Sequence, residues 1–518
     1  MSVAAAVGER RNTRAGMFTA AILCVLTLAL LVLFHVGFQA SDDAVYLTGA
    51  LGWIEHFPYV GESHWTLRHT ITIPTAVFVL LLGLNEPAVS LTNILYFLAF
   101  LGVNAWFMRE QLGGTAAAFA TALLVVLPGF TVVATYLNPD VPELFFVSTA
   151  FWLFVTARKN PERHAIWVLI GALLGAAFVT RQTALAAVLF VAALCVFRPA
   201  VPRSRFFVSG VAFLIVVSAD WTYLTAMTGD PLYRLNIDFH HGRVDRLAET
   251  ARLASSGGLL DFQGNLSVNV FLDPLLALFV TQKYALLFWL LLPASVYAWR
   301  RRSLAPSTVL ALAAGLGIAY FLFVAVNPKL YLVPRYLIVV AWCASIIVGW
   351  WLASLWAGDR RLAAVVVSLA VLAGLVALSV ENTNPRFAER QLLSWVARHP
   401  NQPVYTDPET AIRARYYFRF SGQSMDAVRT ERPPPGSTVL YSADRVRQCE
   451  AMPRCKDRAA DFKPTPLWIS VQSLEAPPTL IGRLIRVAGL EGLVHRDISK
   501  RLFAPGGRVT LYQVDSRE

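Results

Sequence analysis

The chain has 518 residues, of which 56% are hydrophobic and only 15% are charged, whereas soluble domains carry about 25% charged residues. This composition excludes an ordinary soluble protein, because so much apolar surface needs lipid around it. The excess of 45 Lys and Arg over 33 Asp and Glu is similar to that of nucleic-acid binders, but much of it lies in short loops between apolar runs. We therefore expect membrane lipids, and no nucleic acid, as partners.

The first apolar run covers residues 17–38 and follows a basic segment that contains Arg10, Arg11 and Arg14. At about 22 residues it is longer than the apolar core of a signal peptide, and no small-residue cleavage site follows it. We predict a retained first membrane span. Ten further runs bring the prediction to eleven spans: 88–108, 114–135, 141–157, 165–180, 183–198, 206–226, 276–299, 304–326, 336–357 and 362–380.

The segment 71–83 decides the predicted topology. It contains Pro74 and falls short of the roughly 20 residues that a spanning helix needs, so we place it at the membrane interface. The basic loops then share one side with the N-terminus, as the positive-inside rule requires. We predict a cytoplasmic N-terminus and an outer C-terminal segment. An Ala-, Val-, Leu- and Arg-rich chain favours a bacterial inner membrane with a periplasmic outer side, although an endoplasmic reticulum protein would have the same topology.

Residues 381–518 read as a small mixed α/β extracytoplasmic domain that follows a transmembrane domain of residues 1–380. Cys449 and Cys455 of this segment form a disulfide if the compartment is oxidising, whereas a cytosolic thiol pair would look identical. Long outer loops are predicted at 39–87 and 227–275. Four runs favour strands and one favours a helix: Pro403–Thr406, Thr438–Ser442, Leu467–Val471, Val509–Val514 and the helical Pro408–Phe418.

Two adjacent carboxylates, Asp42 and Asp43, directly follow the first span. A carboxylate at the membrane boundary can act as a general base on an incoming hydroxyl. The alternative is a helix cap, in which Ser41 or Asp42 caps a helix from Asp43 to His56. The two roles are compatible.

Further polar residues fall on the same predicted outer face. Each has a structural interpretation, since Asp140 can cap a helix, Arg181 can snorkel, and His64 or His69 can be packed loop histidines. Together they place acids near cations, which suits sugar transfer from a lipid-linked phosphate: the acceptor needs a base and the phosphate needs cations. The set comprises Glu62, His64, Arg68, His69, Asn138, Asp140, Arg181, Gln182, Asp220, Lys329, Arg335 and Tyr336.

In their order and spacing over residues 17–380, four short motifs resemble those of GT-C membrane glycosyltransferases, which include protein O-mannosyltransferases and the lipid A aminoarabinose transferase. The resemblance extends to a long first outer loop with interfacial helices and to a terminal outer domain. The motifs are Asp42-Asp43-x-x-Tyr46, Asn138-Pro139-Asp140-x-Pro142, Thr180-Arg181-Gln182-Thr183 and Arg335-Tyr336-Leu337.

The resemblance implies transfer of one sugar from a polyprenyl-phosphate donor, with inversion, to a lipid, glycan or protein hydroxyl. It implies Asp42 as the general base, Asp140 as a residue that positions substrate, and Arg335 as a contact of the donor phosphate. We assign the remaining candidates from their positions: Asp43 to catalysis, and Tyr46, Arg68, His69, Arg181, Lys329 and Tyr336 to donor-phosphate or substrate binding.

The chain departs from the family in its first outer loop, where residues 64–71 replace a Lys-Pro-Pro-Leu stretch, and at Asp43, where relatives carry Glu. These changes leave the sugar and any metal undetermined. Glu62, His64 and His69 are candidate ligands of a divalent metal ion, although their spacing is not diagnostic. A transporter or flippase of a lipid-linked saccharide is the alternative function, but it would place more polar groups near the membrane midplane.

Overall fold

The computed structural model describes residues 20–240, 269, 272–301, 307–326, 333–381, 386–452, 455–494 and 496–515. These residues form two compact units. The first contains the chain up to His35, Tyr46–Ala76 and Leu91–Leu378, and the second contains Val36–Val45, Val77–Ser90 and the chain from Ser379. Two short segments of the first half therefore belong with the C-terminal segment.

Helices account for nearly all of the described chain up to residue 381. In chain order they are α1 (Ala20–Leu33), α2 (Asp42–Glu55), α3 (His69–Leu82), α4 (Glu86–Leu112), α5 (Gly114–Val126), α6 (Pro128–Thr131), α7 (Asp140–Ala157), α8 (His164–Thr180), α9 (Leu185–Phe197), α10 (Arg203–Thr228), α11 (Tyr233–His240), α12 (Asp273–Phe279), α13 (Leu287–Arg300), α14 (Ser307–Val326), α15 (Ile338–Gly358) and α16 (Arg360–Glu381). Short 3-10 helices cover Val133–Thr135, Gln182–Ala184, Gln282–Tyr284 and Pro334–Leu337.

The chain is a multi-pass membrane protein. Within the described residues, six helices are long and apolar enough to cross a bilayer: α4, α7, α10, α14, α15 and α16. Helix α5 and the segment Pro128–Thr135 pass the same test as one pair bent by 72°, while α1, α3, α8 and α9 are shorter apolar helices. The number of eleven spans stays a prediction.

Two runs predicted as continuous spans are broken. The run 114–135 bends after α5, because the residue before a proline is driven out of the helical region: Leu127, which precedes Pro128, has φ −89° and ψ 125°. The run 276–299 splits into α12 and α13, which flank a 3-10 turn and Ala285 at φ 43°. A continuous helix and a broken one have the same apolar composition, so composition alone could not predict either break.

Small residues let helices of the first unit approach closely. A Cβ added at Gly171 of α8 would lie 2.0 Å from the carbonyl oxygen of Ser209 on α10. A Cβ at Gly349 of α15 would lie 2.7 Å from the Cβ of Ala120 on α5. These contacts leave no room for a larger side chain.

The second unit contains a five-stranded sheet in the order β2-β1-β3-β5-β4. Strand β1 pairs in parallel with β2 and β3, while β5 pairs antiparallel with β3 and β4. The small mixed C-terminal domain is thus confirmed, and of its strands only β2 was not predicted from the sequence. The strands are β1 (Val404–Tyr405), β2 (Val428–Arg429), β3 (Thr438–Tyr441), β4 (Trp468–Glu475) and β5 (Arg508–Val514).

Helices cover this sheet and close its core. One buried cluster includes Leu392, Trp395 and Phe418, and another includes the Cys449–Cys455 disulfide. The predicted helix over 408–418 continues to Ser421. The helices are α17 (Phe387–Arg398), α18 (Pro408–Ser421), α19 (Ala443–Ala451), α20 (Lys456–Ala459), α21 (Leu480–Val487) and α22 (Arg496–Phe503).

Candidate functional site

The first unit holds a buried polar network at the start of α7. Asn138, rather than Asp140, caps this helix, since its side-chain oxygen accepts the N–H groups of Asp140 at 3.0 Å and Val141 at 3.3 Å. The Asp140 side chain is fully buried. The Asp140 carboxylate therefore does not act as the helix cap, which was one of its two possible roles in the sequence analysis. It faces cations instead.

Two arginines from distant parts of the chain meet Asp140. Arg181, which directly follows α8, donates to Oδ1 of Asp140, and Nε of Arg335 lies 3.5 Å from Oδ2. The Arg181 guanidinium also stacks on Tyr336, 3.8 Å from the ring centroid. The Arg335 side chain is 20% exposed, compared with 8% for Arg181. The structure therefore brings together four of the predicted site residues.

A second carboxylate, Glu143, belongs to the same network and was missed by the sequence analysis. It accepts from the hydroxyl groups of Thr183 at 2.7 Å and Tyr320 at 3.2 Å, and it lies 3.9 Å from Arg181. An acidic residue one turn into an apolar helix is a recognisable signal, because buried charge within a membrane segment is costly and usually functional. With Asp140, Arg181 and Arg335 it gives two acids and two cations.

Tyr46 and Arg68 form a separate pair in the first unit. Arg68 donates to the Tyr46 hydroxyl, and its guanidinium lies 5.6 Å from the centre of the buried tyrosine ring. This contact connects α2 to the loop before α3.

His69, at the start of α3, binds α10 instead of joining the Asp140 network. Its Nδ1 lies 3.0 Å from Asp220, whose other oxygen accepts from Arg234 at 2.5 Å. Arg234 also lies 3.8 Å from Asp238, which accepts from Gln182 at 2.5 Å. The sequence analysis did not single out Arg234 and Asp238, which lie in the predicted outer loop 227–275.

The metal candidates Glu62, His64 and His69 do not form one group. Glu62 and His64 line an open cavity of about 450 Å³, whereas His69 is bound to Asp220. Over the part of the chain that the structure describes, no three His, Cys, Asp or Glu side chains are grouped so as to hold a metal ion. Lys329, the remaining predicted cation, lies outside the described residues.

Asp42 and Asp43 differ in their surroundings within the second unit. Asp42 is half-buried, whereas Asp43 is only 1% exposed and accepts N–H groups from Gln39, from Ser41 at 2.7 Å and from Ala44 at 3.0 Å. Burial raises the pKa of Asp43 from 3.8 to about 6, although the two N–H groups of Gln39 and Ser41 oppose the shift. Helix α2 runs from Asp42 to Glu55, one residue earlier at each end than predicted.

Part of the chain matches a known protein family. The model of the dolichyl-phosphate-mannose-protein mannosyltransferase family matches residues 71–223, which include Asp140 and Arg181. No curated protein sequence matches the chain.

Solved structures resemble the chain over nearly its whole length. ArnT from Cupriavidus metallidurans bound to undecaprenyl phosphate has a TM-score of 0.54 at 14% identity, with 97% of this chain and 99% of ArnT covered. The apo state of ArnT gives 0.53 at 14% identity, with 85% and 95% covered. The Archaeoglobus fulgidus oligosaccharyltransferase tethered with an acceptor peptide gives 0.52 at 8% identity, with 96% and 88% covered. At these identities the similarity concerns the fold.

Proposed function

We propose, from the similarity of its fold to that of GT-C membrane glycosyltransferases, that this chain transfers a single sugar from a polyprenyl-phosphate donor to a hydroxyl group. The acceptor is a lipid, a glycan or a protein, and the sugar inverts at its anomeric carbon. We place the reaction on the periplasmic face of the bacterial inner membrane, with the N-terminus in the cytoplasm.

The observation that supports this proposal most strongly is the Asp140 network. Its members come from three motifs far apart in the sequence, and the helices bring Arg181 and Arg335 to one carboxylate. A lone buried arginine could simply snorkel, but two arginines held by acids at the ends of membrane helices are fixed in position and can present N–H groups to a ligand. Arginine matches phosphate oxygens with two parallel hydrogen bonds.

Within the network, we assign donor-phosphate binding to Arg335. Its side chain is 20% exposed, whereas that of Asp140 is fully buried, so a ligand reaches Arg335 first. Arg181 is held between Asp140 and the Tyr336 ring, and we assign it to keeping the acid in place. We assign Asp140 to orienting both arginines, which differs from the substrate-positioning role implied by the family resemblance.

Asp42 is our candidate for the general base. The acceptor hydroxyl would form a bond to the anomeric carbon as the bond from that carbon to the phosphate oxygen breaks. The hydroxyl proton passes to Asp42, and the bonding electrons leave with the polyprenyl phosphate. Asp43 is less suited to this step, because backbone N–H groups already occupy both of its oxygens. No step is assigned to a metal ion.

The first experiment compares wild type with Asp42→Asn in lipid nanodiscs. Each is given a panel of radiolabelled polyprenyl-phosphate sugars, with membrane extract as the acceptor. Asp359→Asn is a matched control, because this exposed aspartate caps α16 and asparagine caps a helix about equally well. We expect label to move to a new product with wild type and Asp359→Asn, but not with Asp42→Asn.

Three other outcomes would change this proposal. Retained turnover in Asp42→Asn would remove Asp42 as the base while leaving the transferase in place. If no donor is consumed but labelled lipid crosses the bilayer only when protein is present, the chain is a flippase. If neither occurs with any donor, the proposed function is wrong.

A further inference from the structure

The segment that carries Asp42 is bound through its backbone by the C-terminal part of the second unit. The carbonyl of Gln39 accepts from Nε of Arg386, and that of Ala40 accepts from Nη1 of Arg413 at 2.9 Å. Both arginines lie more than 340 positions away in sequence, at the start of α17 and within α18. Two guanidinium groups therefore bind adjacent carbonyls just before the candidate base.

Hydroxyl groups of α18 extend these contacts along the segment. Tyr417 donates to the carbonyl of Phe38, and Tyr416 donates to that of Ala44 at 3.3 Å. The Phe38 ring lies 5.3 Å from the Tyr416 ring, between centroids. Carbonyls on both sides of Asp42 are thus occupied by side chains of one helix.

Ala40 supplies a reason why such binding is needed. Its φ of 48° lies in the left-handed region, which costs a residue with a Cβ about 1–2 kcal/mol. A conformation of this kind persists only where surrounding contacts impose it, and it is found at functional sites more often than elsewhere. The arginine that binds the Ala40 carbonyl is in the right place to impose it.

Both arginines are prepared for this contact by acids of their own helices. Nε of Arg413 binds Glu409, and Nη1 of Arg386 lies 4.0 Å from Glu389, an acid that Arg445 also approaches at 2.9 Å. The side chains of Arg386 and Arg413 are 8% and 13% exposed, respectively. Burial, followed by repulsion from Arg445, lowers the pKa of Arg386 to about 10, which still leaves the group charged at neutral pH.

We propose that Arg386 and Arg413 form an arginine clamp, a pair of positioning residues through which the C-terminal domain fixes residues 36–45 and so aims Asp42. The inference rests on the proposed function for the role of Asp42, but the contacts of the clamp stand on their own. Through this clamp the small C-terminal domain influences the reaction without contacting the substrate.

The test replaces each arginine of the clamp with lysine, which keeps the charge but loses the planar fork. Two quantities are measured. The first is the transfer kinetics in nanodiscs, and the second is the hydrogen–deuterium exchange of the peptide that covers residues 36–45. Arg508→Lys is the matched control, because Arg508 lies in the same unit, is 67% exposed and pairs at the surface with Glu475.

We expect Arg386→Lys and Arg413→Lys to lower kcat about 10- to 100-fold while KM for the donor stays within about twofold, since a base displaced by about 1 Å costs rate rather than donor binding. Exchange over residues 36–45 should rise about tenfold, with β3 and β5 still protected. Tyr416→Phe, which removes a single hydroxyl, should raise this exchange by a smaller factor and gives the same reading if a lysine variant does not fold. Arg508→Lys should match wild type.

Unchanged exchange over residues 36–45 in the lysine variants, or unchanged kcat despite faster exchange, would overturn the clamp. A rise in donor KM at unchanged kcat would do so as well. If wild type transfers no sugar from any donor, the proposed function fails, and the exchange data alone then decide whether the two arginines hold the segment.

Discussion

The two units use buried arginine in different ways. In the first unit, Arg181 and Arg335 face the fully buried carboxylate of Asp140, so that charge meets charge. In the second unit, Arg386 and Arg413 also lie beside buried acids, Glu389 and Glu409, but in addition they donate to the backbone carbonyls of residues 39 and 40. Removal of Arg181 leaves the buried carboxylates of the first network with less compensating charge, whereas replacement of Arg386 or Arg413 by lysine keeps a charge beside its acid and loosens the loop.

The comparison shows that buried arginine can contribute mainly to the stability of the fold in one network and mainly to the ordering of a loop in another. A buried carboxylate stripped of its partner keeps the full cost of its desolvation. A carbonyl stripped of a donor loses only one hydrogen bond, worth about 1.5–3 kcal/mol when the donor is charged. We therefore expect the first network to be sensitive in unfolding experiments and the second to be sensitive in kinetics and local exchange.

The largest expected effect belongs to Arg181→Ala, which leaves Asp140 and Glu143 without their most buried cation. We expect the free energy of unfolding to fall by about 3–5 kcal/mol, measured by thermal or denaturant unfolding in detergent micelles. Arg203→Ala, at an exposed arginine that reaches only the end of α9, is the control and should stay within about 0.5 kcal/mol of wild type. A loss in Arg181→Ala below about 1 kcal/mol would contradict a buried charge network.

A second prediction concerns the pH dependence of the Asp43 environment. Because the folded pKa is raised from 3.8 to about 6, the stability contributed by this group is fully present below pH 3.8 and is lost as the pH rises through 6. A shift of about two units corresponds to about 3 kcal/mol. Asp43→Asn does not titrate, so its stability relative to wild type should improve by about that amount between pH 4 and pH 7.

Thermal unfolding curves of wild type and Asp43→Asn over this pH range give the measurement. Asp407→Asn is a useful comparison, because burial also raises the pKa of Asp407, the cap of α18, to about 6. If wild type and Asp43→Asn keep a constant difference from pH 4 to pH 7, Asp43 does not titrate as its burial requires.

The smallest of the three effects is expected for Arg335→Ala. This arginine is the most exposed of the four charged residues in the network, so its loss should cost little stability and act on ligand binding. Loss of a charge-assisted contact with phosphate should weaken polyprenyl-phosphate binding about 10- to 100-fold, measured by titration in nanodiscs. Arg335→Lys should retain part of the affinity, and acceptor affinity should not change. Unchanged donor affinity in Arg335→Ala would place the phosphate elsewhere.

Much of the fold follows from the sequence. The apolar runs predicted most of the long helices to within a few residues, because lipid exposure demands an apolar stretch regardless of what the stretch packs against. Short strand-like runs predicted four of the five strands of the C-terminal sheet. The order of the motifs with Asp42, Asp140, Arg181 and Arg335 predicted the GT-C fold.

Tertiary structure alone decided which of these side chains meet. Sequence could not tell that Asn138 caps α7 so that Asp140 can face Arg181, or that His69 pairs with Asp220 and leaves the metal candidates Glu62 and His64 apart. It also could not reveal the arginine clamp on residues 36–45, whose partners lie hundreds of positions away. Hydropathy and propensity act along the chain, whereas the pairing of buried charges depends on which ends of which helices are brought together by packing.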